Sequence, residues 1–334
     1  MGWPENKAFS EQLPTLQLAW DSVSLGALKT CPRLYQLSIV EGWRSREEAV
    51  DLEFGILAHS GRERYYHARA NGSDHDTSVS LALDFVLTAS WDSELDRPRA
   101  VFCQDSYKNR FTLARTLVWY LDQWQQDPLE QVILASGKPA VEVSFRFELD
   151  FGPDYGWQWI SSQPDVPGSQ SGHNEQTVHY ALCGHLDRLV RFNERLWVSD
   201  LKTTKSEPGS WFFEHFSPDN QMSLYSLAGK VVAGEPTAGV IVDATQVAVG
   251  FSRFRRGLIA RTEAQLEEWL HSLRVLLRQA EQYARENFWP QNDRACYRCQ
   301  FRSVCGRTPQ VRESILASEF TKRTWDPTQA RGDI

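Results

Sequence analysis

The sequence predicts an α/β or α+β protein in which helices surround a short mixed sheet. Between about residues 47 and 126, apolar side chains recur at the three- and four-residue spacings of helices. From residue 141 onward the period changes to two, and apolar side chains alternate with polar ones in several short stretches. A helical pattern at about 219–232 separates two pairs of these strand patterns. Such a mixture is typical of an α/β or α+β fold.

The length and composition are those of an ordinary globular protein. A chain of 334 residues suits one large domain or two modest ones, and 41% of its residues are hydrophobic and 24% charged. The net charge of −7 argues against non-specific coating of nucleic acid, but an enzyme with metal-binding carboxylates and one basic groove is compatible with it. No apolar segment resembles a signal peptide or a membrane span. We therefore expect a cytoplasmic protein without a membrane partner.

The first part of the chain is predicted to be mainly helical. Residues 1–20 are aperiodic and form an expected N-terminal extension, after which Asp21 offers an N-cap for a short helix that ends at Thr30. Further helices are predicted over about 47–70, 77–90 and 108–126. The last two belong to a helical insertion that we place at about 71–135.

The later part of the chain is predicted to contain the sheet. Strand patterns occur over about 141–147, 178–192, 195–202, 238–249 and 252–260. The stretch 152–176 is rich in Gly, Pro and Ser and is predicted to be a loop. Thr262 and Gln265 form a capping box before a long amphipathic helix. We expect 21–310 to form one domain and 311–334 to be a loose polar tail.

Two aspartates and a lysine lie on the predicted hairpin. If Asn193-Glu194 is its turn, Asp187 lies directly opposite Asp200, with Cβ atoms about 4.5–5.5 Å apart. Lys202, two residues further on, points to the same face of the sheet. Like charges that face each other are destabilising, and a divalent cation such as Mg²⁺ or Mn²⁺ is the simplest remedy. The pattern therefore predicts a metal site with an adjacent ammonium group.

The same residues have a simpler interpretation. Lys202 beside a metal would activate a water molecule or stabilise charge on a phosphoryl group. Alternatively, Lys202 forms an ion pair with either aspartate and no chemistry follows, because motifs this short also occur by chance.

Two four-residue spacings on predicted helices support a site. Gly55 leaves room on one helical face beside His59, whose imidazole can ligate a metal or can be purely structural. Gln221 and Tyr225 share a face of the helix after the lysine strand. They could reach a phosphate, a base or Lys202, or form an ordinary helix face with one aromatic anchor.

A C-x₂-C-x₅-C run near the end of the predicted domain is formed by Cys296, Cys299 and Cys305. In a reducing compartment such a run indicates metal ligation, and it needs a fourth ligand to complete a zinc site or an iron–sulfur cluster. The spacing does not identify that ligand, which can be a histidine, Cys31, Cys103 or Cys183. We favour Cys31, which Pro32 exposes at the end of its helix, and expect the other two to pack as small apolar residues.

Together these motifs resemble the RecB-like branch of the PD-(D/E)XK nucleases, which includes AddB-type recombination proteins and the CRISPR-associated adaptation nuclease. The resemblance covers about 22–305 and depends on the order and spacing of the motifs. These are Ser22-Val23-Ser24-Leu25, Cys31-Pro32-Arg33, Gly55 to His59, Gly184 to Asp187, Asp200-Leu201-Lys202-Thr203, Gln221 to Tyr225, and the three C-terminal cysteines. It implies a restriction-endonuclease-like core, a short mixed sheet flanked by helices.

The resemblance also implies roles for individual residues. The implied ligands of a catalytic Mg²⁺ or Mn²⁺ are His59, Asp187, Asp200 and the backbone carbonyl of Leu201. Lys202 would position or deprotonate the attacking water, Gln221 and Tyr225 would line the DNA channel and support the lysine, and Glu142 matches a position that is often acidic. The implied ligands of a 4Fe–4S cluster that clamps the two ends of the domain are Cys31, Cys296, Cys299 and Cys305.

The function implied by the resemblance is metal-dependent hydrolysis of DNA. We expect an exonuclease that acts from DNA ends with a preference for single strands, in repair, recombination or CRISPR-type processing. The chain has no G-x-x-x-x-G-K-[ST] phosphate loop, so we expect it to act alone, to use the motor of a helicase partner in trans, or to work on ends that are already open. The alternatives are a catalytically silent module that binds DNA ends or a partner, and a zinc-stapled protein unrelated to nucleases. The intact set of Asp187, Asp200 and Lys202 argues against a silent module, which would not need it.

Overall fold

The computed structural model of the chain describes residues 8–46, 49–103, 105–149, 180–323 and 325–327. It confirms the predicted mixed architecture, because a central mixed sheet is flanked by helices. The loop predicted at 152–176 lies outside the described residues. None of the helices in the described ranges combines the length and the apolar character that a bilayer crossing requires.

The strands and helices that the sequence predicted lie within a few residues of their predicted bounds, and the structure adds several short elements. The strands are β1 (Ala19–Trp20), β2 (Trp43–Ser45), β3 (Trp91–Asp92), β4 (Arg97–Pro98), β5 (Glu130–Gln131), β6 (Val141–Leu149), β7 (Tyr180–Phe192), β8 (Arg195–Thr204), β9 (Thr237–Val247), β10 (Ser252–Ala260) and β11 (Phe320–Lys322). The helices are α1 (Ser22–Thr30), α2 (Pro32–Tyr35), α3 (Val50–Ala70), α4 (His75–Ala89), α5 (Arg110–Gln123), α6 (Ser210–Glu214), α7 (Asn220–Ala233), α8 (Glu263–Glu286), α9 (Arg302–Cys305) and α10 (Pro309–Glu319).

The central sheet has seven strands among the described residues. β1, β7, β8, β9 and β10 lie side by side in that order, and β5 and β6 also pair with β7. β7 and β8 form the predicted hairpin with Asn193-Glu194 as its turn, and both turn residues have the positive φ, 49° and 62°, that a tight turn requires. β8 and β9 are parallel and are connected through α6 and α7, whereas β10 pairs antiparallel with β9 at the edge of this order.

The predicted N-caps begin their helices. Asp21 accepts a hydrogen bond from the backbone N–H of Ser24 at 2.9 Å at the start of α1. Thr262 and Gln265 form the capping box of α8, because each side chain accepts from the other residue's backbone N–H. These local side-chain contacts satisfy donors that the first helical turn leaves unpaired, so they specify where each helix starts.

Helices cover both faces of the sheet. Consecutive strand residues point to opposite sides, so each strand contributes side chains to both layers. On one face, α7 approaches so closely that a Cβ on its Gly229 would lie 2.8 Å from Val198 of β8. On the other face, Arg62 of α3 donates to Thr245 of β9 at 2.7 Å. A separate apolar cluster between α3 and the helices of the predicted insertion, α4 and α5, contains Phe54, Leu57, Tyr65, Val86 and Leu117.

Both ends of the chain are more closely integrated than the sequence suggested. Residues 8–20 are not a separate extension, because Trp20 is fully buried and β1 pairs in parallel with β7. The prediction of a loose tail from 311 is wrong for its first part, where α10 places Leu316 in an apolar cluster with Phe301, and β11 pairs with β2. This segment is mostly polar, so its sequence shows no clear helical period. Its helix is stabilised by contacts with residues far away in the sequence.

Candidate active site

Three carboxylates stand side by side on adjacent strands. In β6 and β7, the residue pairs on either side of Glu142 bring it opposite Asp187. In β7 and β8, the paired residues end at Arg188 and Ser199, and Asp187 and Asp200 are the next residues on the two strands. The expected juxtaposition of the two aspartates thus has a third member. Like charges in one row of a sheet repel each other, so this arrangement requires compensating cations.

His59 of α3 lies against this row. Its Nδ1 is 3.1 Å from Asp187 Oδ2, and its Nε2 is 3.1 Å from the carbonyl oxygen of Leu201. The backbone N–H of Leu201 donates to the same Asp187 oxygen at 2.8 Å. Donor atoms of His59, Glu142 and Asp187 all lie within 4.8 Å of one another. The structure therefore brings three of the proposed ligands, His59, Asp187 and the Leu201 carbonyl, together with Glu142, whereas Asp200 contacts Lys202.

The pKa values of these groups reflect their burial and their partners. Burial alone would lower the pKa of His59, but the adjacent Asp187 carboxylate outweighs it and raises that pKa. Burial would raise the pKa of Asp187, yet the charge and hydrogen bond of His59 hold it at about 2. For Asp200, burial dominates over the neighbouring Lys202 and raises the pKa. The two ring nitrogens of His59 thus face an Asp187 carboxylate oxygen and the Leu201 carbonyl oxygen.

Lys202 is held by two acceptors. Its ammonium lies 2.7 Å from Asp200 Oδ2 and donates to Gln221 Oε1 at 2.8 Å. The Gln221 amide in turn donates to the Tyr225 hydroxyl at 3.0 Å. The four-residue spacing on α7 thus produces a chain of contacts that ends on the lysine. The simpler interpretation predicted an ion pair between Lys202 and an aspartate, and the Lys202–Asp200 contact is that pair.

Glu142 is the site residue for which sequence reasoning provided least support. Its backbone has φ of +48°, a conformation that residues other than glycine rarely adopt and that costs of order 1 kcal/mol or more. Such strain persists only where surrounding structure imposes it, and it is concentrated at functional sites. The sequence offered one signal for Glu142. In the run Val141-Glu142-Val143 it is the polar residue between two apolar ones, so its side chain points away from the face that the valines share.

Two buried arginines line a cavity beside the carboxylate row. A cavity of about 30 Å³, with room for a water molecule, lies beside His59. Its walls include Arg62 and Arg188, whose guanidinium carbons lie 3.3 Å and 3.5 Å from the ring centroids of Tyr120 and Tyr66. Both arginines are only 6% exposed. Arg188 is paired with Asp127 at 3.3 Å, and Arg62 donates to Thr245 at 2.7 Å, so both guanidinium groups are held in place beside the cavity.

Four of the six cysteines form a second cluster, which shares no residue with the carboxylate row. One small cavity is lined by Cys31, Cys296, Cys299 and Cys305. Cys31 is tied to the C-terminal segment, because the backbone N–H of Asn292 donates to its sulfur at 3.2 Å. Burial raises the pKa of the Cys299 and Cys305 thiols. Among the candidates for a fourth ligand, Cys31 is therefore the cysteine that lies beside the three.

The two remaining cysteines differ from each other. Cys183 packs as a small buried residue, as predicted, and its thiol donates to the Trp20 carbonyl at 3.5 Å. The same prediction is wrong for Cys103, which is exposed. Cys103 ends a short 3₁₀ helix in which Val101 and Phe102 take the buried positions, so its thiol is left at the surface.

Comparison with known proteins agrees with this site. The family model of the PD-(D/E)XK nuclease superfamily matches residues 22–306. No protein with a curated description matches the chain. The crystal structure of a proposed exonuclease from Eubacterium rectale is 13% identical, with 90% of this chain and 93% of that chain covered and a TM-score of 0.48. The crystal structure of SSO0001 is 15% identical, with coverages of 85% and 96% and a TM-score of 0.28. Since the family match spans most of its length, the chain belongs to the PD-(D/E)XK nuclease superfamily.

Proposed function

We propose that the chain is a metal-dependent deoxyribonuclease of the RecB-like kind that hydrolyses phosphodiester bonds. The observation that carries this proposal is the row of Glu142, Asp187 and Asp200 with Lys202 paired to its last member. A cation between carboxylates and an ammonium next to it are what phosphodiester hydrolysis needs, because charge develops on the phosphoryl group and a water must be activated.

The donor set suits a hard divalent cation. The ion, Mg²⁺ or Mn²⁺, would be held by His59, Asp187, Asp200 and the carbonyl of Leu201, with Glu142 within reach. Three donor atoms already converge within 4.8 Å, which is close to the separation that ligands of one ion require. When bound, the ion lowers the pKa of water and stabilises charge on the phosphoryl oxygens.

Lys202 would position or deprotonate the attacking water. An ammonium group has three donors, and two are directed at Asp200 and Gln221 in the described structure. The third remains for a water or a phosphate oxygen. Tyr225 fixes the Gln221 amide and thereby the direction of the ammonium. Gln221 and Tyr225 would also line the path of the DNA strand, as the RecB-like resemblance implies.

The cysteine cavity would hold a 4Fe–4S cluster between the two ends of the domain. The four cysteines line one small cavity, and Cys31 accepts a hydrogen bond from the backbone N–H of Asn292 there. The RecB-like resemblance favours a cluster over a single zinc ion. A brown preparation with bound iron is expected, whereas a colourless zinc protein would contradict the assignment.

The mode of action follows from the RecB-like resemblance. We infer an exonuclease that acts from DNA ends, prefers single strands and works in the cytoplasm, in repair, recombination or CRISPR-type processing. A helicase or another DNA-processing protein would act with it in trans.

The test is cleavage of end-labelled single- and double-stranded DNA by anaerobically purified protein with Mn²⁺. The wild type should cut, and Lys202→Ala should cut at least about 100-fold more slowly, because the group that activates water is lost. Circular dichroism of both proteins checks their folding. If the folded, cluster-loaded wild type cuts none of these substrates, the second candidate function applies, a silent module that binds DNA ends or a partner.

A further inference from the structure

Two buried side chains in the wall of the cavity beside His59 each carry a polar atom that lacks a partner among the described residues. Arg62 of α3 and Asp243 of β9 both line this cavity, whose volume is about 30 Å³. Within the described part of the chain, neither the Nε of Arg62 nor the Oδ1 of Asp243 has a hydrogen-bond partner. The two residues are only 6% and 2% exposed, so bulk solvent does not satisfy these atoms. A buried donor and a buried acceptor left unpaired are costly and rare in native proteins.

The other polar atoms of these two side chains are held by the protein. A terminal nitrogen of Arg62 donates to the Thr245 hydroxyl at 2.7 Å, and the guanidinium carbon lies 3.3 Å from the centroid of the Tyr120 ring. The Oδ2 of Asp243 accepts from the Tyr120 hydroxyl at 2.6 Å and from Arg256 at 2.9 Å. Rotating either side chain to make a direct pair would break these contacts. The two unpaired atoms therefore need a third group between them.

One water molecule matches the size and the chemistry of the cavity. A buried water needs about 10–15 Å³ of accessible volume and two to four polar partners. A water between the two atoms would accept from the Arg62 N–H and donate one O–H to Asp243. Its second O–H would be left for an acid of the carboxylate row, because Glu142 and Asp187 line the same cavity. A cation is a poorer occupant, since the guanidinium groups of Arg62 and Arg188 stand in the wall.

This water would lie beside the contact that aligns the proposed metal ligands. Arg62 follows His59 by three residues, so the two side chains share a face of α3. Asp243 pairs with Leu201 across β9 and β8, and the Leu201 carbonyl oxygen is 3.1 Å from His59 Nε2. A bridge from Arg62 to Asp243 therefore joins the same helix to the same part of the sheet. Removing a group that orients metal ligands typically costs about 10–100-fold in metal affinity.

We propose that the cavity is a binding site for one ordered water, held by Arg62 and Asp243, and that this water positions His59 and the carboxylate row for the metal. Arg62 and Asp243 are positioning residues, because they act on the metal ligands through the water. The water site itself depends only on the fold, whereas its effect on metal binding rests on the proposed nuclease function.

A high-resolution crystal structure of the wild type tests the water site directly. Density is expected for one water within about 3.2 Å of both Arg62 Nε and Asp243 Oδ1. A dry cavity, or a direct contact between the two side chains, would overturn the proposal. This measurement needs no variant, so it decides the question even if a substitution in the buried wall prevents folding.

Two variants of Arg62 separate the contact with the water from the positive charge. Arg62→Gln and Arg62→Met both lose the charge and the bond to Thr245. Gln can place an N–H donor at the side-chain position of Nε, where Met has its methyl group. In calorimetry without DNA, Mn²⁺ should bind Arg62→Met at least about ten-fold more weakly than Arg62→Gln. Equal affinities in the two folded variants would refute the positioning role, because charge and the Thr245 bond change equally in both.

These measurements are independent of DNA cleavage. The expected water, with a Mn²⁺ affinity that depends on the donor at residue 62 but without any DNA cutting, would refute the nuclease function and leave this inference standing. DNA cutting by a wild type whose cavity is dry would do the reverse.

Discussion

Glu281 of α8 is a buried carboxyl group outside both proposed metal sites. It is 2% exposed, and its Oε1 accepts a hydrogen bond from the Tyr180 hydroxyl at 2.6 Å. Burial raises the pKa of Glu281 from 4.5 to about 7, against the smaller opposing effects of the Tyr180 hydrogen bond and nearby arginines. The unfolded chain does not share this burial, so Glu281 makes the stability of the protein depend on pH.

The sign and size of this dependence follow from the two pKa values. Below pH 4.5 the carboxyl group is neutral in both states, and the folded protein suffers no penalty from it. Between pH 4.5 and about 7 the unfolded chain releases the proton first, so the native state loses relative stability, and the loss is complete above about 7. The difference of 7 − 4.5 = 2.5 units, at about 1.36 kcal/mol each, corresponds to about 3 kcal/mol.

Glu281→Gln keeps the shape of the side chain and an acceptor for Tyr180 but cannot ionise. Between about pH 5 and pH 8, the difference in unfolding free energy between variant and wild type should grow by about 2–3 kcal/mol in favour of the variant. Urea denaturation followed by tryptophan fluorescence measures it. Glu267→Gln, exposed on the same helix, is the control and should show no such trend. A difference that stays constant with pH, or an equal trend in the control, would refute the argument.

Further predictions concern the metal sites and the packing. Asp187→Asn should weaken Mn²⁺ binding at least about ten-fold in calorimetry, and normal affinity would exclude this carboxylate as a ligand. Cys31→Ser should yield protein with less iron per chain and an unfolding free energy lower by at least about 2 kcal/mol, whereas full iron content would assign the fourth ligand elsewhere. Gly61→Val should destabilise the protein by about 2 kcal/mol, because a Cβ there would lie 2.8 Å from Val86 and 2.9 Å from Leu117. Gly26→Ala in α1, with nothing within 4 Å of its added Cβ, should instead stabilise by about 0.5–1 kcal/mol in the same urea assay.

Local patterns accounted for most of the secondary structure. The strands from β6 to β10 and the helices α3 to α5 were identified from periodicity, because side-chain direction repeats along each element. The turn at Asn193-Glu194 then determined which residues of β7 and β8 stand opposite each other, since a two-residue loop leaves one register. The alignment of Asp187 with Asp200, and the support of Lys202 by α7, followed from these local rules.

The ends of the chain were not predictable in this way. Arg33 donates its backbone N–H to the carbonyl of Pro290 at 3.0 Å, and Cys31 receives its bond from Asn292, 261 residues away. No local period records a contact over such a separation. The cysteine spacing therefore predicted a metal site but left its fourth ligand open, and the apolar residues of the tail had no visible partner.

The sequence by itself determined which elements form and which polar residues point to one face of the hairpin. The tertiary structure decided how the resulting charge is compensated. It placed Glu142 in the carboxylate row with a strained backbone, and it brought His59 of α3 against Asp187. The physical reason is that burial and charge compensation depend on groups brought together from α3, β6 and β7, whereas periodicity describes each element separately.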